Sequence, residues 1–141
     1  MVSGMRRRED WRSRLWSEID RQAREPFGWG RQDCAIGLAC GAVQAVTGED
    51  VGAEWRGRYD SPGAGLRIVL KRAKSLGDFV ALHLEEQHPV FARVGDIGIV
   101  EAEGPFGEAL CVVDVSRLIV QTDSGLGSLP RDRMLRAFKV G

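Results

Sequence analysis

Between Cys34 and Val46 nearly every residue is small or apolar: Cys34-Ala35-Ile36, Leu38-Ala39-Cys40, Ala42-Val43 and Ala45-Val46. A helix that is apolar on almost all sides has no face to offer water, so it has to lie in the middle of a fold, covered from several directions. Gly37 and Gly41 are poor helix formers, but with the alanines they let other elements approach the helix backbone closely. Asp33 stands where a side-chain oxygen can accept from the unpaired amides of the first turn, and Thr47-Gly48 closes the last one. The rest of the chain has to be arranged around this rod.

Upstream, Trp11, Leu15, Ile19 and Ala23 recur at i, i+4, i+8 and i+12, which predicts an amphipathic helix over about 10–24, its stripe widened by Trp16. Pro26 ends it, and Phe27-Gly28-Trp29-Gly30 follows as a loop carrying two large aromatics. Residues 1–9 are basic and are expected to fray. Downstream, residues 50–65 mix Gly, Pro and charge and predict a loop with a helical turn near Trp55. A third helix is expected over about 64–75, apolar through Leu66, Val69, Leu70 and Ala73, with a short helical or irregular stretch at 79–82. The period then changes. Runs at 96–101, 109–114, 117–121 and 135–140 are short and β-type, separated by turn-rich segments such as Gly104-Pro105-Phe106-Gly107 and Ser124-Gly125-Leu126-Gly127. Helices first and antiparallel strands second predict an α+β domain spanning residues 1–141.

Composition narrows what such a domain does. Twenty basic residues balance twenty acidic ones, so there is no bulk electrostatic case for binding nucleic acid or an anionic membrane. No apolar run approaches the roughly 18 residues of a membrane span, and the charged start has no apolar segment behind it to make a secretory signal. Three cysteines are an odd count in a chain able to build its own core, so reduced thiols are expected rather than a disulfide framework. With two histidines and no close Cys or His pair, neither a metal nor a cofactor is expected.

The one place suited to chemistry is Trp29-Gly30-Arg31-Gln32-Asp33-Cys34, which seats a thiol on the first turn of the buried helix. Free amides and the helix dipole there favour an anion, so a thiolate would be stabilised and the Cys34 pKa drawn down; the same amides could serve a developing oxyanion. The structural alternative is that Cys34 is a small hydrophobe in a packed helix. Cys40 falls on another helix face and Cys111 among apolar strand neighbours, and no Cys-x-x-Cys pair is present. A cysteine nucleophile needs a base, for which His83 and His88 are the two choices. Trp11, Trp16, Phe27, Trp29 and Trp55 are candidate interface anchors, with a core role preferred for Trp11 and Trp29.

A helix-start Asp33-Cys34 behind a Trp-Gly loop, then Gly95-Asp96 opening a strand, then a β-rich second half, resembles the NlpC-type cell-wall peptidases, papain-like thiol hydrolases of peptidoglycan stem peptides. The ordered series Pro26-Phe27-Gly28-Trp29-Gly30-Arg31-Gln32-Asp33-Cys34, Thr47-Gly48, Arg56-Gly57-Arg58-Tyr59, Gly95-Asp96 and Ala137-Phe138-Lys139-Val140-Gly141 is similar to a branch encoded in tail modules of phages, prophages and gene transfer agents. The resemblance runs over about residues 8–141. It implies a papain-like fold, with N-terminal helices packed on a C-terminal antiparallel sheet or half-barrel. It also implies that Cys34 holds the nucleophile position, Asp33 the cap before it, and Gln121 the third, orienting position. The catalytic histidine of the peptidases would fall at Ala109, where this chain has none. The implied function is therefore a non-catalytic structural component of a tail tip or hub, made in the bacterial host cytoplasm and carried in the virion. Its expected partners are other tail proteins of hub, distal-tail or tip-fibre type, and peptidoglycan is a further candidate. The alternative is an active peptidoglycan endopeptidase that aids DNA entry.

Overall fold

The apolar rod is present but opens with an unusual turn. In the computed structural model, which describes residues 5–141, Cys34–Ala39 form a π-helical turn that runs directly into α2 (Cys40–Thr47). The Leu38 amide donates to the Asp33 carbonyl, five residues back, at 2.9 Å, the wider ring that defines a π-turn. Gly37 makes room for it, since a Cβ there would come within 2.6 Å of the Gln32 Cα. Gly48, at φ 85°, closes α2 in the left-handed region.

Helix α1 (Trp11–Gln22) packs along α2, with the Glu18 and Gln22 side chains lying against Gly41. Its buried stripe differs from the predicted one: Ala23 is exposed, whereas Gln22 is 1% exposed. Repeated four-residue steps overrun a 3.6-residue turn and rotate by about 120° after twelve residues, so a true stripe runs i, i+4, i+7, i+11. Trp11, Leu15, Glu18 and Gln22 follow that path.

Residues 5–8 correct the expectation of a fraying tail. The Arg7 guanidinium pairs with Asp96 at 2.9 Å and donates to the Val140 and Val94 carbonyls at 2.9 and 2.7 Å. The Arg8 amide donates to the Val46 carbonyl at 2.8 Å, and Met5 packs against the core. Residues 1–4 of the predicted tail lie outside the described residues.

Two serines reset the boundaries of the next helices. Ser61 caps α3 (Pro62–Leu70) through the Ala64 amide, and Ser75 caps α4 (Leu76–Ala81) through the Asp78 amide. The expected helix over 64–75 thus starts earlier and ends five residues sooner. The strands are β1 (Glu85–Gln87), β2 (Ile97–Glu101), β3 (Glu108–Val113), β4 (Arg117–Thr122), β5 (Gly125–Pro130) and β6 (Met134–Lys139). They form one antiparallel sheet in the order β1-β6-β2-β3-β4-β5. Four of the six follow from the short β-type runs. The glycine-rich β5, expected as part of a turn, pairs with β4 along its whole length, from Arg117↔Pro130 to Thr122↔Gly125.

The sheet is buried on both faces. Ile97, Ile99, Leu110, Val112 and Phe138 meet the helices in the main core, and Val100, Cys111, Val113, Leu118 and Ala137 form a second cluster on the other side. Asp96, 1% exposed, ties the periphery together: its carboxylate accepts from Arg7, Gln87 and the amides of Arg93 and Val140. The architecture is thus α+β, a few helices against a six-stranded antiparallel sheet. No helix of the described residues is long and apolar enough to cross a membrane.

Candidate functional site

The loop ahead of the π-turn is folded tightly enough to aim Asp33 and Cys34 at the same place. Gly28 and Gln32 form a two-residue bridge, the Gly28 amide donating to the Gln32 carbonyl at 3.1 Å. Gly30 turns the corner at φ 76°, and a side chain there would collide with the Tyr59 carbonyl. The Gly57 amide donates to the Gly30 carbonyl at 2.9 Å, which brings the Arg56-Gly57-Arg58-Tyr59 segment alongside.

Asp33 is the hub of this corner. It is 1% exposed. One carboxylate oxygen accepts from the Ala35 and Ile36 amides at 3.1 and 2.7 Å; the other accepts from the Gly30 amide at 2.9 Å and from the Tyr59 hydroxyl. The predicted cap is therefore in place, with four donors satisfying a buried carboxylate that pairs with no cation among the described residues. Burial and the facing carboxylate push the Tyr59 phenol pKa well above its ordinary value, so Tyr59 acts only as a donor here.

A groove of about 320 Å³ runs past this corner. Asp33, Cys34, Ala109 and Gln121 all line it, so the four positions assigned from sequence converge in space from the π-turn, β3 and β4. Phe27 and Trp29, edge to face with centroids 5.1 Å apart, form part of its wall, and Glu103 and Asp123 also line it. Ala109 is half-buried and presents only a methyl group where the resemblance places a base. The Gln121 carboxamide accepts from Gln32 at 3.0 Å and donates to the Thr122 carbonyl at 2.9 Å. Gln32 also donates to Gln22 at 2.9 Å, and Gln22 to Glu18 at 2.7 Å. A chain of amides thus links the groove to α1. Sequence reasoning missed Gln22 and Gln32; the available signal was a polar side chain one helical repeat beyond Leu15 on the same face.

The electrostatics reverse the expectation for Cys34. Its thiol pKa is pushed up from 9.0 to about 12, first by burial and further by the Asp33 carboxylate, with only partial relief from the backbone at Leu110 and at Cys34 itself. The helix-start amides expected to favour a thiolate or an oxyanion are those of Ala35 and Ile36, and Asp33 already occupies both. Cys40 and Cys111 are likewise pushed up to about 12 by burial.

Neither histidine is beside Cys34. His83 packs against Trp55 and Phe79, with ring centroids 5.2 Å away in each case, and lines a different cavity. The His88 ring accepts from the Val90 amide at 3.1 Å and caps the short turn Pro89–Phe91. Among the described residues no group of His, Cys, Asp and Glu side chains could hold a metal ion. Of the candidate interface aromatics, Trp11 and Trp16 pack against the main core and all five are half-buried. Among the described residues the large apolar side chains that face solvent are instead Leu70, Leu82, Val90, Phe91, Val115 and Leu135.

A family model described as a domain of unknown function (DUF6950) matches residues 6–140. No curated protein matches the chain.

Proposed function

The chain belongs to the DUF6950 family; we propose that it is a structural component of a phage or phage-like tail, at the tip or hub, built on an NlpC-like frame without hydrolytic chemistry. What supports the kinship is the order of motifs from Asp33-Cys34 to Gly95-Asp96 and a helical half leading into an antiparallel sheet. What carries the loss of chemistry is one observation: the groove gathers Cys34, Asp33, Gln121 and Ala109, and both imidazoles lie elsewhere.

Thiol hydrolysis needs a base within hydrogen-bond reach of the sulfur, to raise the thiolate fraction and then protonate the leaving amine. Here the position is a methyl group, the neighbouring carboxylate disfavours the thiolate, and the helix-start amides of Ala35 and Ile36 already serve Asp33. What remains is an aromatic-walled groove and a set of solvent-facing apolar side chains, Val90, Phe91 and Val115 among them. Those suit packing against other tail proteins. Mixing the purified chain with hub and distal-tail proteins should give a stoichiometric complex on size exclusion. Cleavage of stem peptides from purified peptidoglycan, lost in Cys34→Ala, would overturn the proposal in favour of a working endopeptidase.

A further inference from the structure

We propose that β5 is a strand-pairing surface, and that its occupant is the β5 of a second copy of this chain, joined antiparallel about a two-fold axis at Gly127. The inference goes beyond the tail assignment and does not rest on it.

The sheet ends in two very different edges. β1 is three residues long and exposes Glu85 and Glu86, the usual way an edge is kept from pairing. β5 has six residues, none of them charged and none of them buried. Pro130, at its last position, is the one blunting device it has. Which backbone groups it leaves open follows from the pairing. The Asp114 amide donates to the Arg117 carbonyl at 2.9 Å, so Arg117 turns its peptide groups toward β3. Alternation then turns those of Leu118, Val120 and Thr122 toward β5, where their partners are Leu129, Gly127 and Gly125. The N–H and C=O of Leu126 and Ser128 therefore point away from the sheet, and no backbone or side-chain group among the described residues pairs with them.

Gly127 is a second, separate observation. Its φ lies outside the left-handed region, and a Cβ there would meet Thr122 Cγ2 at 3.6 Å and Val120 Cγ2 at 3.7 Å, both ordinary contacts. Nothing within the chain requires this glycine, and glycine weakens a strand interior unless another backbone comes close. A two-fold axis through Gly127 supplies that backbone. Leu126 of each copy then pairs with Ser128 of the other through about four N–H···O=C bonds, and the two Gly127 residues face each other in the non-hydrogen-bonded position, where Cα atoms approach to about 4.5 Å. Any side chain at that point would meet its own copy.

The ends of the strand select a second copy over an unrelated segment. Asp123 stands at the Gly125 end; Arg117, Arg131 and Arg133 stand at the Pro130 end, against one acid, Asp132. None of these five forms an ion pair among the described residues. Arg117 already lies along β5, its Nε donating to Ser128 Oγ at 2.9 Å. Antiparallel two-fold pairing lays each end beside the opposite end of the copy, so Asp123 meets the arginine-rich end twice.

Sedimentation velocity of the intact protein up to about 0.5 mM, with amide exchange at low and high concentration, tests this. The contact is small, so a weak dimer is expected, about half formed by about 0.3 mM. Exchange at Leu126 and Ser128 should slow with concentration, whereas Gly127 and Leu129, already paired with β4, should not change. Gly127→Lys and Gly127→Glu should each keep the parent's melting temperature and weaken dimerisation at least about tenfold, since each puts like charges on the axis. Mixed, the two variants should form a heterodimer tighter than either homodimer. Should either variant lower the melting temperature, exchange in the parent protein still decides. The proposal fails if the protein stays monomeric throughout, if a dimer forms without protecting Leu126 and Ser128, or if mixing two well-folded variants restores nothing.

Discussion

The Cys34 thiol gives the most direct quantitative test of the site. Its pKa is raised from 9.0 to about 12. At pH 7.5 that leaves about three molecules in 10⁵ as thiolate, against about three in a hundred for an unperturbed group, so alkylation slows by about a thousandfold. Iodoacetamide labelling, quenched over time and resolved by peptide mass mapping, measures Cys34 separately from Cys40 and Cys111. The folded rate should be about three orders of magnitude below that of the same peptide in denatured chain. It should rise tenfold per pH unit from 7 to 10 with no plateau. A plateau below pH 8, or a rate within tenfold of the denatured chain, would mean a stabilised thiolate and refute the electrostatic reasoning. The same shift bears on stability. A thiol whose folded pKa lies above its unfolded value contributes fully below about pH 9, and its contribution is lost as pH rises toward 12. Cys40 and Cys111 act in the same direction. The melting temperature should therefore fall on the alkaline side from about pH 9.

Asp96→Asn removes the charge that Arg7 meets at 2.9 Å, with side-chain exposures of 7% and 1%, and should cost about 3–5 kcal/mol in a denaturant melt, as breaking buried pairs does. Gln22→Leu leaves the Gln32 amide short of an acceptor and should cost about 1–3 kcal/mol by the same measurement; the Gln121 side-chain resonances should shift as well, since Gln32 holds both. Gly37→Ala drives a methyl into Gln32 and should cost about 1–3 kcal/mol, whereas Gly104→Ala meets no atom within 4 Å and is strained only by its φ of 99°.

The parts of the fold that follow from side-chain period were legible in the sequence. The buried rod, the existence of α1 and the four short β-type runs all come from local sequence, and Asp33 and Gly48 mark the ends of the rod as their chemistry predicts. The misses share a different origin. β5 contains Gly125 and Gly127 and no alternation, so what makes it a strand is the partner β4 and not its own residues. The N-terminal arginines look like a solvated tail because nothing nearby in sequence announces Asp96, 89 residues from Arg7, as that residue's acceptor. The π-turn was invisible for a similar reason. It depends on Gln32 folding over Gly37, a contact that helical spacing does not encode.

The candidate site divides in the same way, and the division explains why position was predictable when chemistry was not. That Cys34, Ala109 and Gln121 share a groove is a consequence of topology, which packs β3 and β4 against the π-turn. The sign of the Cys34 shift is a consequence of who receives the helix-start amides. A bare helix start favours an anion on the residue that follows the cap. When the cap is itself a carboxylate, with both of its oxygens fully engaged, the protein's own charge takes that role first. The thiol next to it then meets a filled anion site, a negative neighbour and a desolvating wall together. One residue, Asp33, thus builds the corner that presents Cys34 and at the same time keeps its sulfur protonated. Asp33→Asn separates the two effects: the cap weakens, but the thiol pKa should drop only modestly, because burial rather than the Asp33 charge is its largest cause. A fall of Cys34 into the neutral range in that variant would show that charge, not packing, sets the thiol.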